Sequence, residues 1–119
     1  MPTPHEVQRF LSDFKTKMDV FGIIFRDDRS KNFDTTTALE LTVSAKMKIL
    51  KCLSMEDYAE GPLEDKLNSI ADMWVFGKYI KGSEVYIKIS MGRPGLQAIC
   101  ISFHFSEHPI KYPFKENKR

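Results

Sequence analysis

The sequence has few cysteines, the residues that cross-link small proteins through disulfides, and it has no long apolar run. Two cysteines, Cys52 and Cys100, are too few to build a disulfide scaffold in a chain of 119 residues. No stretch approaches the roughly 18 uninterrupted apolar residues of a transmembrane helix. The first residues show neither the basic stretch nor the apolar stretch of a secretory signal. These absences predict a cytoplasmic protein, in a reducing compartment, that does not bind membranes.

Familiar catalytic motifs are missing as well. The sequence contains no G-x-S-x-G, no P-loop, no G-x-G-x-x-G and no H-E-x-x-H. Possible zinc ligands lie near the C-terminus, namely Cys100, His104, Glu107 and His108. On a strand, however, the first two of them are about 13 Å apart, and the two histidines alone do not make a specific metal site. We therefore predict neither a metal nor another cofactor.

What the sequence does contain is enough apolar material for one folded domain. Hydrophobic residues make up 42% and charged residues 29% of the chain, which excludes a disordered protein. The charge is unevenly distributed, because residues 1–71 carry a net charge of −2 and residues 72–119 a net charge of +4. The C-terminal part would attract a polyanion such as RNA, although ordinary scatter of surface charge explains the same numbers.

The N-terminal half predicts two helices and one strand. Thr3–Glu6 combines an N-cap threonine, a proline at the first helical position and a glutamate three residues after the cap, and apolar residues follow at helical spacing to Met18. Val20–Phe25 is typical of a short strand, and a charged loop is expected over residues 26–32. Thr42 caps the second predicted helix. The apolar face of that helix comprises Val43, Met47, Leu50 and Leu53, and its solvated lysines are Lys46, Lys48 and Lys51.

From residue 72 the apolar period changes from 3.6 to 2, which predicts a three-stranded antiparallel meander. The strands are expected over residues 73–80, 84–91 and 98–105, with turns at Gly82-Ser83 and at residues 92–95. Such a sheet has one apolar and one polar face. The predicted register pairs Tyr79 with Tyr86 and places His104 diagonal to Tyr86. The polar face then carries Tyr79, Tyr86, Lys88, Cys100, Ser102 and His104.

The polar face of the predicted meander resembles a phosphate site. Cleavage of RNA without a metal needs one group to take the 2′-hydroxyl proton, a second to protonate the leaving oxygen, and a cation near the phosphorus. His104, with His108 or Tyr86 as its partner, can exchange the protons, and Lys88 or Arg93 can supply the charge. The further candidates for contacts with RNA phosphates are Lys78, Lys81, Tyr79, Lys111 and Tyr112. The alternative interpretation is that the solvated face of an antiparallel sheet is simply polar.

The segment after the last predicted strand, residues 104–114, contains two histidines and two prolines and suits neither a helix nor a strand ladder. A rigid loop of this kind can place side chains over the sheet. It can also close the edge of the core through Phe105, Tyr112 and Phe114. Both interpretations remain open.

Three blocks of the sequence occur in an order and spacing typical of a known family. They are Leu50–Tyr58, Trp74 leading into Gly82–Ile89, and Ile101–Phe103, and together they cover about residues 39–104. With these blocks the chain resembles the motility quorum-sensing regulator toxins, a branch of the RelE-like ribonucleases of bacterial type II toxin–antitoxin systems. The resemblance implies a RelE-like α+β domain. Its twisted antiparallel sheet would contain the meander and an extra strand, with two or three N-terminal helices packed on one face.

The resemblance also implies an activity and two partners. The activity is metal-independent cleavage of messenger RNA, which is the first partner, free or on the ribosome. The second partner is an antitoxin protein that commonly binds DNA. Tyr86 falls on the strand tyrosine of the family motif, whereas Glu60, Val75 and His104 stand where the family has lysine, glutamine and lysine. A histidine suits the last position because imidazole exchanges protons near neutral pH. The sequence thus predicts an mRNA-cleaving toxin with a histidine-centred site; the alternative is a non-catalytic module of the same fold that binds RNA or protein.

Overall fold

The computed structural model of the protein describes residues 1–26, 30–67 and 70–115. Its elements in chain order are α1 (Pro4–Phe21), β1 (Ile23–Phe25), α2 (Ser30–Ala38), α3 (Val43–Lys51), a 3-10 turn (Met55–Asp57), β2 (Tyr58–Leu63), β3 (Met73–Ile80), β4 (Ser83–Ser90) and β5 (Ala98–Phe105). Within these ranges, five strands form one open sheet in the order β1-β5-β4-β3-β2. The predicted α+β class is confirmed. The sheet is mixed, however, because β1 runs parallel to β5 while the other neighbours are antiparallel.

Helix α1 begins where its capping motif predicts. Thr3 Oγ1 accepts a hydrogen bond from the Glu6 amide at 3.2 Å, and Glu6 Oε1 accepts one from the Thr3 amide at 3.0 Å. The hydrogen bond from the Thr3 backbone amide is the main reason why the pKa of the Glu6 carboxyl is lowered. The helix continues beyond Met18 to Phe21, so that part of the predicted first strand is helical. Among the helices of the described ranges, none combines the length and hydropathy needed to cross a membrane.

The core lies between α1 and one face of the sheet. Phe10 of α1 stacks on Trp74 of β3, with ring centres 4.5 Å apart and planes 12° apart. The buried side chains of α1 are Val7, Leu11, Phe14 and Met18, and the sheet contributes among others Phe76, Val85, Ile87, Ile89 and Phe103. The apolar face of the meander is therefore the core face, as the period of 2 predicts.

Helix α2 begins at Ser30, inside the charged loop predicted over residues 26–32, and continues to Ala38. Residues 27–29 of that loop are outside the described residues. The helix runs along the edge of β5 through polar side chains. Asn32 Nδ2 donates to the Ile101 carbonyl oxygen at 2.9 Å, and Asn32 Oδ1 accepts from the Phe103 amide at 2.9 Å. Thr35 Oγ1 accepts from the Phe105 amide at 2.9 Å. Because these buried contacts are polar, α2 lacks the apolar stripe that reveals a helix in a sequence.

Strand β2 was also not expected from the sequence. It contains Gly61 and Pro62, residue types that are depleted in strands, and its pairing with β3 is irregular. Its first residue, Tyr58, is 2% exposed and packs edge-on against Trp74 and Phe76. Pairing with β3 and burial of Tyr58 override the weak local preference for a strand.

Helix α3 begins as predicted and buries Leu50 of its predicted apolar face, with Leu53 buried just beyond its end, but it also buries Lys46. Thr42 Oγ1 accepts a hydrogen bond from the Ala45 amide at 3.0 Å. Val43 is 56% exposed, whereas Lys46 is only 1% exposed and its Nζ lies 4.4 Å from the centre of the Phe25 ring. The prediction of a solvated Lys46 is therefore wrong, because its stem is packed in the interior and its cation lies over an aromatic face.

The meander is confirmed, with a shifted register at both turns. Ile80 pairs with Ser83, so the first turn consists of Lys81 and Gly82, and Tyr79 pairs with Glu84 instead of Tyr86. Both turn residues have positive φ angles, 52° and 85°, which is the geometry of a tight hairpin. The register differs by two residues from the prediction. Because side chains alternate with a period of 2, Tyr79 still lies on the predicted face.

Candidate functional site

The polar face of β4 and β5 forms the centre of the candidate site. Tyr86 pairs directly with His104, and Lys88 pairs with Ser102. The rings of Tyr86 and His104 stack at 5.0 Å between centres, with planes 13° apart, and Lys88 Nζ lies 5.9 Å from the centre of the Tyr86 ring. His104 is therefore opposite Tyr86, closer than the diagonal position expected from the sequence.

A bulge in β5 moves Cys100 to the other face of the sheet. Lys88 pairs with Ser102 but the next residue of β4, Ile89, pairs with Cys100, so Ile101 is the extra residue. Cys100 is 1% exposed and belongs to the core, which corrects its predicted place on the polar face. Within the described ranges, no three His, Cys, Asp or Glu side chains converge as a metal site requires.

The stacked pair lies in a cleft of about 800 Å³ between the start of α2 and the segment that follows β5. We call residues 106–115 the C-terminal arm. The cleft is lined by Ser30, Lys31 and Asn32 of α2, Ala59, Glu60 and Val75 of β2 and β3, Tyr86, Lys88, Ser102 and His104 of β4 and β5, and Ser106–Lys111 of the arm. The structure thus brings together five of the predicted site residues: Tyr86, Lys88, His104, His108 and Lys111.

The imidazole of His104 is held in one orientation. Its Nδ1 lies 2.9 Å from the carbonyl oxygen of Phe105, which can only accept a hydrogen bond. Nδ1 therefore carries the hydrogen, and in the neutral ring Nε2 is the nitrogen with the free lone pair. Stacking on Tyr86 and this hydrogen bond fix both the ring plane and the tautomer, and the arrangement leaves Nε2 able to accept a proton.

Tyr86 is suited to donate a hydrogen bond rather than to act as a base. Burial of its phenol raises its pKa, and the negative charge of nearby Glu60 raises the pKa further. Both causes disfavour the phenolate, so the hydroxyl keeps its proton across the neutral range. Of the two partners for His104 that the sequence leaves open, His108 is the better proton donor or acceptor.

The C-terminal arm crosses the polar face and then turns to the core. Ile110 and Tyr112 lie over Gly77 of β3, where any side chain would collide with them. Phe114 stacks on Tyr58, with ring centres 5.2 Å apart, and packs against the core. The first interpretation describes the start of the arm, which lines the cleft with His108 and Lys111. The second holds only for Phe114, because Phe105 is 37% exposed and Tyr112 lies over Gly77.

The other predicted contacts with RNA are not in the cleft. Lys78 pairs with Val85 in the sheet, so it lies on the core face, and its Nζ forms an ion pair with Asp57 at 3.0 Å. Lys81 Nζ donates to the Leu39 carbonyl at 2.6 Å, beyond the end of α2. Arg93 lies in the turn before β5, and six residues of strand place that turn about 20 Å from His104.

Two predicted aromatic contacts have other surroundings. Tyr79 is 65% exposed and lines a second depression, which adjoins the cleft along residues 106–109 of the arm. The hydroxyl of Tyr112 donates to Glu84 Oε2 at 2.8 Å. Burial and this hydrogen bond raise the pKa of Tyr112, so it remains a donor to Glu84. Tyr112 therefore holds the arm in place.

An ion pair that the sequence does not indicate joins α2 to the arm. Lys31 Nζ lies 2.5 Å from Glu107 Oε1, and both side chains, which line the cleft, are about 60% exposed. The hydrogen bond from Lys31 lowers the pKa of the Glu107 carboxyl. The two residues are far apart in sequence and α2 gave no helical signal, so no pattern pointed to this pair.

Comparison with known proteins gives no family for the chain. No family model matches it, and neither a curated protein nor a solved structure is significantly similar to it. The resemblance drawn from the three sequence blocks therefore stays a prediction.

Proposed function

We propose that the cleft binds RNA and that His104 and His108 cleave its backbone without a metal ion. The observation that carries the proposal is the fixed His104 ring, stacked on Tyr86 and bonded through Nδ1, in a cleft that also contains His108 and Lys88. Two imidazoles supply the two proton transfers of the reaction, and a neighbouring lysine supplies the positive charge.

The reaction is a transfer of the phosphoryl group within the RNA. Nε2 of His104 accepts the proton of a ribose 2′-hydroxyl, whose oxygen forms a bond with the adjacent phosphorus. The bond from that phosphorus to the 5′-oxygen of the next nucleotide breaks, and protonated His108 gives its proton to this leaving oxygen. The products are a 2′,3′-cyclic phosphate and a 5′-hydroxyl. One histidine gains a proton and the other loses one, so the protons balance.

Tyr86 and Lys88 stabilise the charge that develops at phosphorus. The Tyr86 hydroxyl stays protonated and donates a hydrogen bond to a non-bridging oxygen. The Lys88 ammonium, near the Tyr86 ring, places a positive charge beside the same phosphate. Lys111 extends the positive surface along the arm, which is the lining expected of a cleft that follows an RNA backbone.

The resemblance to the motility quorum-sensing regulator toxins gives this activity a biological setting. In that setting the chain has the RelE-like fold, acts in the bacterial cytoplasm and cleaves messenger RNA, free or on the ribosome. A cognate antitoxin, commonly DNA-binding, controls it. Induction of the chain in a bacterium should then stop growth and shorten mRNA half-lives, and co-expression of the protein encoded by the neighbouring small gene should restore growth. Unchanged growth and unchanged mRNA half-lives would contradict this setting.

Incubation of the purified protein with RNA, with and without ribosomes and in the presence of a chelator, tests the activity itself. We expect shorter fragments that end in a 2′,3′-cyclic phosphate and begin with a 5′-hydroxyl. Other end groups would indicate a different reaction, and cleavage that requires added metal would exclude the proposed one. RNA that stays intact under both conditions would reject the ribonuclease.

A second candidate function is a module that binds RNA or protein without cleavage. It is favoured by Glu60 and Val75, which pair across β2 and β3 and line the cleft where the family pattern has a lysine and a glutamine. Compared with the family pattern, Glu60 in place of a lysine removes one positive charge from the cleft and adds one negative charge. A binder would shift RNA in a gel while leaving its length unchanged, so the same incubation separates the two functions.

A further inference from the structure

We propose that Glu84 is a positioning residue that holds the C-terminal arm so that His108 and Lys111 face the cleft. This inference rests on the proposed function, because the importance of the position of His108 follows from its role in proton transfer. Glu84 itself lies outside the cleft lining, so we do not expect it to contact the RNA.

Glu84 is bonded to the arm at three places. Its backbone carbonyl accepts from the Ser106 amide at 2.9 Å. Its carboxylate uses both oxygens, since Oε1 accepts from the Ile110 amide at 3.0 Å and Oε2 accepts from the Tyr112 hydroxyl at 2.8 Å. One residue at the start of β4 thus binds the beginning, the middle and the later part of the segment 106–112.

His108 lies midway between two of these contacts. The chain from Ser106 to Ile110 is a five-residue loop, and Glu84 closes it at both ends through its carbonyl and its carboxylate. The exposed His108 has no neighbours from the sheet ladder to define its position. Its position is set by the closure of this loop, together with the hydrogen bond from Ser106 Oγ to the His108 carbonyl and the ion pair of Glu107 with Lys31. Loss of the Glu84 carboxylate frees the Ile110 end of the loop, while these contacts and the backbone contact at Ser106 remain.

The surface beneath the arm is shaped for the same contact. A Cβ added at Gly77 would lie 2.8 Å from Ile110 Cδ1 and 2.9 Å from Tyr112 Cε1, closer than real contacts allow. The absent side chain lets the arm lie against β3, within reach of Glu84 on the neighbouring strand. The glycine provides the space and the carboxylate provides the bonds.

Cleavage kinetics of Glu84 variants test the inference. Glu84→Ala should lower kcat about 10- to 100-fold, because displacement of a reacting group by about 1 Å is enough for such a loss. Glu84→Gln retains an oxygen for the Ile110 amide and should recover most of the loss. Glu64→Ala removes an exposed carboxylate after β2 and is the matched control, with unchanged kcat.

A double-mutant cycle shows whether Glu84 acts through His108. In a His108→Ala background, Glu84→Ala should add little further loss of kcat, because the group that it positions is already absent. An equal loss in both backgrounds would overturn the inference, as would full kcat in the single Glu84→Ala variant. If Glu84→Ala does not fold, Tyr112→Phe removes one of the two carboxylate bonds and should show a smaller loss with the same non-additivity.

Hydrogen exchange gives a readout that does not depend on cleavage. The Ile110 amide should exchange faster in Glu84→Ala than in the wild type or in Glu64→Ala, whereas the amides of β4 should not change. Unchanged exchange at Ile110 would overturn the role of Glu84 in holding the arm. If the wild-type protein cleaves no RNA but Ile110 exchange responds as expected, the proposed function is rejected and the attachment of the arm by Glu84 stands.

Discussion

The floor of the cleft and the C-terminal arm above it are held in place by different kinds of contacts. The floor consists of Tyr86, Lys88 and His104, whose backbones are fixed by the ladder between β4 and β5. The arm consists of residues without a ladder, and it is held by the side chain of Glu84, by the ion pair of Glu107 with Lys31 and by the packing of Phe114. A substitution on the floor should therefore change the chemistry and leave the fold intact, whereas a substitution under the arm should change the position of the arm.

The largest expected loss of kcat comes from a substitution on the floor of the cleft, His104→Ala. Removal of a general base lowers rates by roughly 10²–10⁴-fold. We expect such a loss of kcat in the RNA cleavage assay. A partly exposed strand residue changes stability by about 0.5 kcal/mol or less, so thermal unfolding should show almost no change.

The histidine of α1 provides the matched control for this variant. His5 is exposed at the start of α1, far along the chain from the cleft, so His5→Ala should cleave at the wild-type rate. A His104→Ala protein that unfolds earlier and whose activity falls only in proportion to its folded fraction would mean that His104 has a structural role. A folded and fully active His104→Ala protein would remove the proposed mechanism.

A smaller effect is expected under the arm, from Gly77→Ala. The added methyl group would collide with the side chains of Ile110 and Tyr112, so these side chains, the arm that carries them or the strand must move. β3 is paired on both sides, with β2 and β4, whereas the arm is held by side chains. We therefore expect the arm to lift, with a loss of kcat of up to about 100-fold through His108.

The protein contains one tryptophan, Trp74, which separates the two outcomes for Gly77→Ala. Trp74 lies in β3 on the core face and stacks on Phe10, so its fluorescence reports on the sheet and the core. We expect unchanged fluorescence together with faster exchange of the Ile110 amide. Changed fluorescence with a protected Ile110 amide would show that the strand had moved, and it would contradict the contrast between floor and arm.

The floor of the cleft was largely predictable from the sequence, because alternation of apolar residues determines which side chains share a face. Tyr86, Lys88 and His104 lie together as expected, even though both registers shifted by two residues, since an even shift preserves the face. Cys100 did not follow, because the bulge at Ile101 adds one residue and inverts the alternation. Nothing in the local sequence marks that bulge, which lies next to the contact of the Ile101 carbonyl with Asn32.

The walls of the cleft were less predictable, because they depend on polar contacts between distant residues. Helix α2 attaches to β5 through Asn32 and Thr35, and these buried polar side chains give no apolar periodicity. Lys78 and Lys81 looked like surface lysines, yet both bind partners elsewhere in the fold, a carboxylate and a helix-end carbonyl. Composition identified the basic half of the chain, but it could not distinguish a lysine in the cleft from one already engaged.

The smallest expected effect concerns the positive charge of the floor. Lys88→Ala should weaken RNA binding and reduce its salt dependence, since each neutralised phosphate of a single strand contributes about 0.7 to the slope of log K against log salt concentration. Binding is best measured in a His104→Ala background, in which the RNA stays intact.

Lys48→Ala, at an exposed position of α3 that does not line the cleft, removes the same charge and is the matched control. We expect the slope to fall by about one phosphate contact for Lys88→Ala and to stay constant for Lys48→Ala. Equal slopes for the two variants would mean that the RNA responds to the net charge of the protein and not to the floor of the cleft.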